Sequence, residues 1–391
     1  MNILKSLLPS TNFAGKRVFL RADLNVPLYN GAIISDLKLH ALRPTLDMIL
    51  EKSGKIILAT HIDRPKGYDP SLSTQILIPW LTAQGYTVAF EADLKQAYAK
   101  SFHDPKTILL LDNLRFFPEE KGHDAQFAQS LARLGDYYVN DAFGAMHRLD
   151  CSVAQVPQLF TADKRMFGLL VERELANAQR LLNPEKPFTL IIGGNKTSDK
   201  IPLIKQLLPH IDTLLLCPAP VFTFLKAENK PVGTSLVDND AIDSCLNLKN
   251  DAQRYNVTIK TPLDYMVSHD TFHGPFYIVP ENKLSNIDYG ISIGPITKEL
   301  FGEIIANSKT IFYNGLMGDL NHPETLEGVQ ALFTAMANSN GYCVIGGGDS
   351  TAAAQILGLA QKVDFLSTGG GALIAYLSNQ QLPALEILIN K

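Results

Sequence analysis

Short apolar runs rich in β-branched residues alternate along this chain with longer segments whose apolar positions recur at helical spacing. The runs predict strands over 17–20, 55–60, 87–90, 107–111 and 136–140. A second set falls over 188–192, 213–216, 257–260, 276–279, 310–313, 342–345 and 364–366. Strands that are apolar throughout, rather than alternating with polar residues, belong to parallel sheets covered by helices on both faces. The predicted class is α/β, with two Rossmann-like parallel-sheet domains joined by a helix and a cleft that closes about a hinge.

The joint is expected at 169–183. Val171, Leu175, Ala178 and Leu182 are spaced four, three and four residues apart, which marks one face of a helix, and Asn183-Pro184 ends it. This gives a first domain over 1–168, the connecting helix over 169–183, a second domain over 184–372 and a terminal segment over 373–391. A length of 391 residues is more than one ordinary core holds and suits two domains.

Composition narrows the class. With 46% hydrophobic and 19% charged residues the chain has the balance of a folded globular protein. A net charge of −4 carries no overall signal for nucleic acid or for membrane surfaces. Cys151, Cys217, Cys245 and Cys343 are scattered, without a C-x-x-C pair, and read as buried small hydrophobes of a reducing compartment. The apolar patch at Ile3, Leu4, Leu7 and Leu8 is too short for a signal sequence, and no run approaches membrane-spanning length, so a cytoplasmic location is expected.

The chemistry lies where strands end. Tyr342 to Ile345 runs into Gly346-Gly347-Gly348-Asp349-Ser350 and then a helical stretch. Glycines there let backbone N–H groups approach a phosphate, and the helix N-terminus adds positive dipole. Asp349 would repel a bare phosphate, which points to a cation between them and hence to a magnesium nucleotide. Residues 188–192 likewise run into Gly193-Gly194, followed by Lys196 and Lys200, and 364–366 run into Ser367-Thr368-Gly369-Gly370-Gly371. One such junction also reads as a tight βα turn; three in one half do not. Neither G-x-x-x-x-G-K-S/T nor G-x-G-x-x-G is present, which disfavours hydride transfer on a dinucleotide.

The first half offers cations instead. Asp23 and Asn25, His61 and Arg64, Arg115, and Arg148 follow four predicted strands, where the C-terminal strand ends of an open sheet line a crevice. Arg64, Arg115 and Arg148 together suit a multiply anionic ligand. Asn25 also fits an Asx turn, and His61 a satisfied core histidine. One half thus holds a small anion and the other a magnesium nucleotide, and the reaction that joins them is phosphoryl transfer.

Eight segments, in order, carry a resemblance to the phosphoglycerate kinase family over essentially the whole chain. They are RADLNVP from Arg21, HIDRPKG from His61, DNLRFFPEE from Asp112, YVNDAFGAMHR from Tyr138, IIGGNKTSDK from Ile191, TIFYNGLMG from Thr310, VIGGGDS from Val344 and STGGGA from Ser367. The resemblance implies reversible transfer of the acyl phosphate of 1,3-bisphosphoglycerate to ADP, with magnesium, giving 3-phosphoglycerate and ATP in glycolysis. It implies substrate binding by Asp23, Asn25, Lys38, His61, Arg64, Arg115 and Arg148. Nucleotide binding falls to Gly193, Gly194, Lys196, Lys200, Asn314, Asn321, Gly347, Gly348, Asp349 and Ser350, with Asp349 the metal-associated acid. Lys38, Lys196 and Arg64 are the implied catalytic set. It further implies a monomer whose terminal segment packs back on the first domain, with which the apolar stretch from Leu382 to Leu388 is compatible.

Six positions depart from the family pattern. Lys38 stands for an arginine central to transfer, and Arg43, about 140° further around a helix, is not placed to replace it. Asn321 stands for a ribose-binding glutamate, Ala375 for an acid, Asp63 for glycine, Asp150 for histidine and Asn195 for alanine. The alternative these departures open is a phosphoglycerate-kinase-like nucleotide-binding protein with little or no turnover.

Overall fold

The computed structural model describes residues 4–29, 31–102, 104, 106–122 and 124–389. Ile3 of the N-terminal apolar patch lies outside them. The chain divides into two compact units, one of residues 1–176 with 381–391 and the other of residues 177–380. The boundary falls inside the helix Leu169–Leu182. Val171, Leu175 and Ala178 of the expected apolar stripe are buried, but Leu181 rather than Leu182 is fully buried in the last turn.

The first unit is built on six parallel strands. Their spatial order is Thr87–Glu91, Thr107–Leu111, Lys55–Ala59, Arg17–Ala22, Tyr137–Asp141 and Arg165–Phe167. The central pair is in register from Arg17 with Lys55 to Arg21 with Ala59. Val18, Phe19, Leu20, Ile57 and Leu58 have no exposed surface, as the unbroken apolar pattern requires of strands covered on both faces. The edge strand Arg165–Phe167 was not expected: three residues are too few for periodicity to show. The C-terminal helix Pro383–Ile389 belongs to this unit, where it buries Ala384, Leu385 and Leu388 and donates the Ala384 N–H to the Met146 carbonyl at 3.3 Å.

The second unit carries a second parallel sheet of six strands. In space these run Thr258–Lys260, Thr213–Leu216, Phe188–Ile192, Thr310–Asn314, Tyr342–Gly346 and Phe365–Leu366. The run at 276–279 is not part of it. Tyr277–Pro280 instead pairs antiparallel with Asp264–Ser268, which pairs antiparallel with Tyr289–Ile293 in a separate three-stranded sheet. Burial alternates along Tyr277–Pro280, as it does in an edge strand with one face in water. Asp264–Ser268 is wholly buried but begins on an acid and ends on a serine, which hid it from an apolar-run criterion.

No described helix is long and apolar enough to cross a membrane. All four cysteines are buried, and none is in a disulfide.

Candidate active site

Four neighbouring strands of the first sheet end at one edge, and each delivers polar residues there. After Ala22 come Asp23 and Asn25, after Ala59 come His61 and Arg64, after Leu111 comes Arg115, and after Asp141 come His147 and Arg148. A cavity of about 480 Å³ at this edge is lined by Arg64, Pro65, Arg115, Lys121, His147, Arg148 and Asp150. Arg115 Nε, His147 Nδ1, Arg148 Nη1 and Asp150 Oδ2 are buried and have no hydrogen-bond partner among the described residues. Unpartnered buried donors cost free energy that a bound acceptor repays.

Asp23, Asn25 and Lys38 are not in the cavity wall but join it through hydrogen bonds, whereas His61 is buried outside the wall, against Arg21. Asn25 Oδ1 accepts from the Asp63 N–H at 2.7 Å, and Arg115 Nη1 donates to the Asp63 carbonyl. Asp63 takes the positive φ of 50° that glycine adopts more easily, a conformation its short polar side chain tolerates. Asn113 holds the two turns together. Its Oδ1 accepts from Ile62 N at 3.2 Å and Arg115 N at 3.1 Å, while its Nδ2 donates to the Ile62 carbonyl at 2.8 Å.

Lys38, in the first turn of the helix Leu37–Glu51, places Nζ 2.9 Å from both carboxylate oxygens of Asp23. Burial pushes the Asp23 carboxyl upward, but Lys38 and Arg21 outweigh it and hold the group below its ordinary value. Arg43 is engaged elsewhere, donating to Gln84 Oε1 at 2.9 Å. Asp150 is an acid placed among cations. It accepts from Lys121 Nζ at 2.7 Å and lies 3.7 Å from Arg115 Nη2, so its charge is neutralised within the site.

Beneath this edge lies a layer that sequence reading left out of the site. Arg21 is fully buried in the strand Arg17–Ala22, and Glu120 is fully buried beside it at 4.0 Å. Arg21 Nη2 meets His61 Nδ1 at 3.0 Å. Burial, reinforced by the charges of Arg21, Arg115, Arg148 and Lys38, holds the His61 imidazole well below its ordinary value. A charged residue inside an apolar strand is the signal that marks Arg21, since such a group is retained only with partners.

In the second unit three adjacent strands end at one edge in turns that form a cavity of about 670 Å³. Gly194, Lys196 and Lys200 come from the first turn, Asn321 from the second, and Gly347, Gly348, Asp349 and Ser350 from the third. Gly193 and Asn314 stand behind this wall. The Gly193 N–H donates to the Asn314 carbonyl at 3.0 Å and the Gly194 N–H to the Leu316 carbonyl at 2.9 Å. These two N–H groups therefore tie one turn to the next and are not free for phosphate. A Cβ on Gly193 would come within 2.4 Å of the Gly315 carbonyl oxygen, so this glycine is required by the close approach of two backbones.

Lys200 Nζ donates to Asn314 Oδ1 at 2.5 Å. Burial lowers the Lys200 pKa, opposed by Asp199 and Asp349. Lys196 is exposed and 3.5 Å from Asp199. Asp349 is exposed in the first turn of the helix Gly348–Ile356, whose opening N–H groups have no intrahelical partner. Asn314 Nδ2 and Ser350 Oγ are buried without a partner among the described residues. Asn321 is held by Asp319, which accepts from its N–H at 3.0 Å and from its Nδ2 at 3.2 Å. Asp319 and Phe272, neither expected from sequence, also line this wall.

No group of three or more histidine, cysteine or acidic side chains is arranged to hold a metal ion by itself among the described residues. Magnesium carried on substrate phosphates needs no such cage, because one protein carboxylate beside the phosphates is a usual arrangement. Asp349, at the mouth of a glycine turn next to Lys200, fits that role.

The family model for phosphoglycerate kinase matches residues 8–380. The chain is 38% identical over 384 residues to the phosphoglycerate kinase of Dictyoglomus turgidum, covering 96% of each chain. It is 37% identical over 386 residues to that of Thermomicrobium roseum, covering 96% of this chain and 97% of the other. Among solved structures, the phosphoglycerate kinase of Coxiella burnetii superposes with a TM-score of 0.82 at 29% identity, covering 97% of both chains. That of Pyrococcus horikoshii gives 0.84 at 26%, again over 97% of both. With both parallel sheets and nearly the whole length in agreement, the chain belongs to the phosphoglycerate kinase family, kinases that use a carboxyl group as phosphoryl acceptor.

Proposed function

We propose that the chain moves the acyl phosphate of 1,3-bisphosphoglycerate to ADP, and the reverse, with the first unit binding the glycerate and the second the nucleotide. The observation that carries the division is the cavity lined by Arg64, Arg115, Lys121 and Arg148, in which buried guanidinium nitrogens lack acceptors. A three-carbon ligand with phosphate and carboxylate supplies them. The glycine-turned cavity of the second unit, with Lys200 and the opening of the helix Gly348–Ile356, suits a nucleotide's phosphates.

Phosphoryl transfer asks for in-line positioning, charge neutralisation and exclusion of water. Arg115, Arg148 and His61 orient the glycerate, while Asp23 and Asn25 meet its hydroxyl. Lys38, Lys196 and Arg64 offer positive charge to the group in flight, and Lys200 and Ser350 hold the nucleotide phosphates. Asp349 would hold magnesium beside the phosphates, and the ion would supply charge neutralisation to the nucleotide. The hinge for closure is the helix Leu169–Leu182. A monomer acting in cytoplasmic glycolysis fits this reading.

The test is a coupled assay with 3-phosphoglycerate, ATP and magnesium, beside calorimetric titration of each ligand. ATP-dependent turnover that requires magnesium supports the reading. Tight nucleotide binding with no turnover would leave a binding protein in its place.

A further inference from the structure

The buried layer beneath the phosphoglycerate edge constrains a proton. Arg21 Nη2 lies 3.0 Å from His61 Nδ1, and both side chains are essentially inaccessible. A guanidinium has only donors and stays charged at any accessible pH, so this contact is a hydrogen bond only if Nδ1 presents its lone pair. The ring hydrogen then sits on Nε2. A second proton on Nδ1 would set N–H against N–H and two positive charges in contact.

The guanidinium cannot turn away. Its Nε donates to Ser152 Oγ at 2.7 Å and its Nη1 to the Ala22 carbonyl. Ser152 Oγ donates in turn to Glu120 Oε1 at 2.6 Å, and the Ser152 N–H to Glu120 Oε2 at 2.9 Å. The Tyr138 hydroxyl donates to the Ser152 carbonyl at 2.8 Å, fixing the far side. The strongest charge effects on the ring come from the cations Arg21, Arg115, Arg148 and Lys38, while the nearby Glu120 carboxylate lies 4.0 Å from Arg21 Nη2.

We propose that Arg21 is a positioning residue that locks His61 as the neutral Nε2–H tautomer, making the imidazole a fixed hydrogen-bond donor to the anionic substrate. A donor that is neither charged nor able to change tautomer makes a contribution to binding that does not itself vary as pH passes through the usual histidine range, so any pH dependence there belongs to His147 in the cavity wall or to the ligand phosphate. The consequence for substrate rests on the function proposed above; the tautomer does not.

Two-bond proton–nitrogen correlation spectra of the 15N-labelled full chain at pH 6, 7 and 8 test it directly. The His61 signal is assigned by its loss in His61→Gln. The expected pattern is a lone-pair-bearing Nδ1 and a protonated Nε2 at every pH. A proton on Nδ1, or a ring that becomes doubly protonated in this range, overturns the proposal.

A second arm uses Arg21→Met with Glu120→Gln, which removes both buried charges while leaving the Ser152 hydrogen bonds possible. Both tautomers should then appear, and KM for 3-phosphoglycerate should rise about fivefold, the worth of one hydrogen bond. KM for ATP should be unmoved. Retention of the single tautomer in this variant refutes the role of Arg21. If the variant does not fold, the parent spectra alone decide. Absence of turnover in the parent would sink the proposed function and leave the spectra as the judge of the tautomer.

Discussion

Replacing Lys38 by alanine separates what its charge does for the fold from what it does for the reaction. Lys38 Nζ is equidistant, at 2.9 Å, from the two oxygens of a carboxylate that is 7% exposed, while Lys38 itself keeps 24% of its side chain in water. Breaking a fully buried pair costs about 3–5 kcal/mol. The partial exposure of the lysine reduces this to about 2 kcal/mol, since water screens what remains. For a unit of this size that is a fall of about 4–8 °C in the melting midpoint.

The loss has a pH signature. The Asp23 carboxyl lies below its ordinary value in the folded chain, so the pair's contribution is complete above the unfolded carboxyl pKa of about 3.9. It fades as pH falls through the lower folded value. Parent and variant should therefore differ fully at pH 7 and converge in acid. Lys38→Ala with Asp23→Asn removes the stranded charge and should recover most of the stability without recovering activity.

Turnover should fall about 10²–10³-fold in Lys38→Ala, the scale set by removing one preorganised group from a transition state. Lys38→Arg should match or exceed the parent, because the planar fork spans two oxygens as the ammonium now does. Chemical denaturation at pH 7 and at about pH 3, below the unfolded carboxyl pKa, with steady-state kinetics at pH 7 on the same preparations, measures both effects. Near-parental turnover in Lys38→Ala would remove Lys38 from the reaction and leave it a stabilising partner of Asp23.

Other substitutions probe the remaining groups. Arg115→Ala or Arg148→Ala should weaken 3-phosphoglycerate at least about tenfold and spare ADP, since each loses a charge-assisted donor; equal damage to both ligands in calorimetry would refute the division between units. Asp349→Ala should abolish magnesium-dependent nucleotide turnover with an unchanged melting midpoint, and turnover within a few-fold of the parent would count against the assignment. Gly193→Ala should reduce nucleotide affinity by forcing apart two turns whose atoms would meet at 2.4 Å; unchanged ADP titration would show the turns to be pliant. Burial pushes the Asp141 carboxyl up to about 7, so the folded chain holds a proton that the unfolded chain has released between roughly pH 4 and 7. Stability of the parent relative to Asp141→Asn should fall as pH rises through this window and level off above it, as urea midpoints from pH 5 to 8 would show.

Both parallel sheets and the groups at their edges were legible because strands buried on both faces leave unbroken apolar runs, after which Asp23, His61, Arg115 and Lys200 stand out. The antiparallel sheet was not, since Tyr277–Pro280 is half exposed and Asp264–Ser268 begins and ends on polar residues. The role of Gly193 was misjudged for a physical reason: a glycine before a lysine reads as room for a ligand, and only the second turn shows that the room is filled by backbone. Arg21 was visible as a charge in an apolar strand, but His61, forty residues away, is brought to it by the parallel register of two strands. Asp150 looked like a misplaced acid until Lys121, from another element, was seen to neutralise it.

The helix Pro383–Ile389 has a consequence for synthesis on the ribosome. It belongs to the first unit, yet it is translated only after the whole of residues 177–380. At 5–20 residues per second, the roughly 200 intervening residues take on the order of 10–40 s. During that interval the nascent first unit lacks the cover for the surface that Ala384, Leu385 and Leu388 later bury. Apolar surface left open for tens of seconds is what chaperones bind and what aggregates form from. The order of translation therefore makes the last helix a latch: the first unit to emerge is the last to be finished, and truncations near the C-terminus should damage a unit whose strands were all made long before.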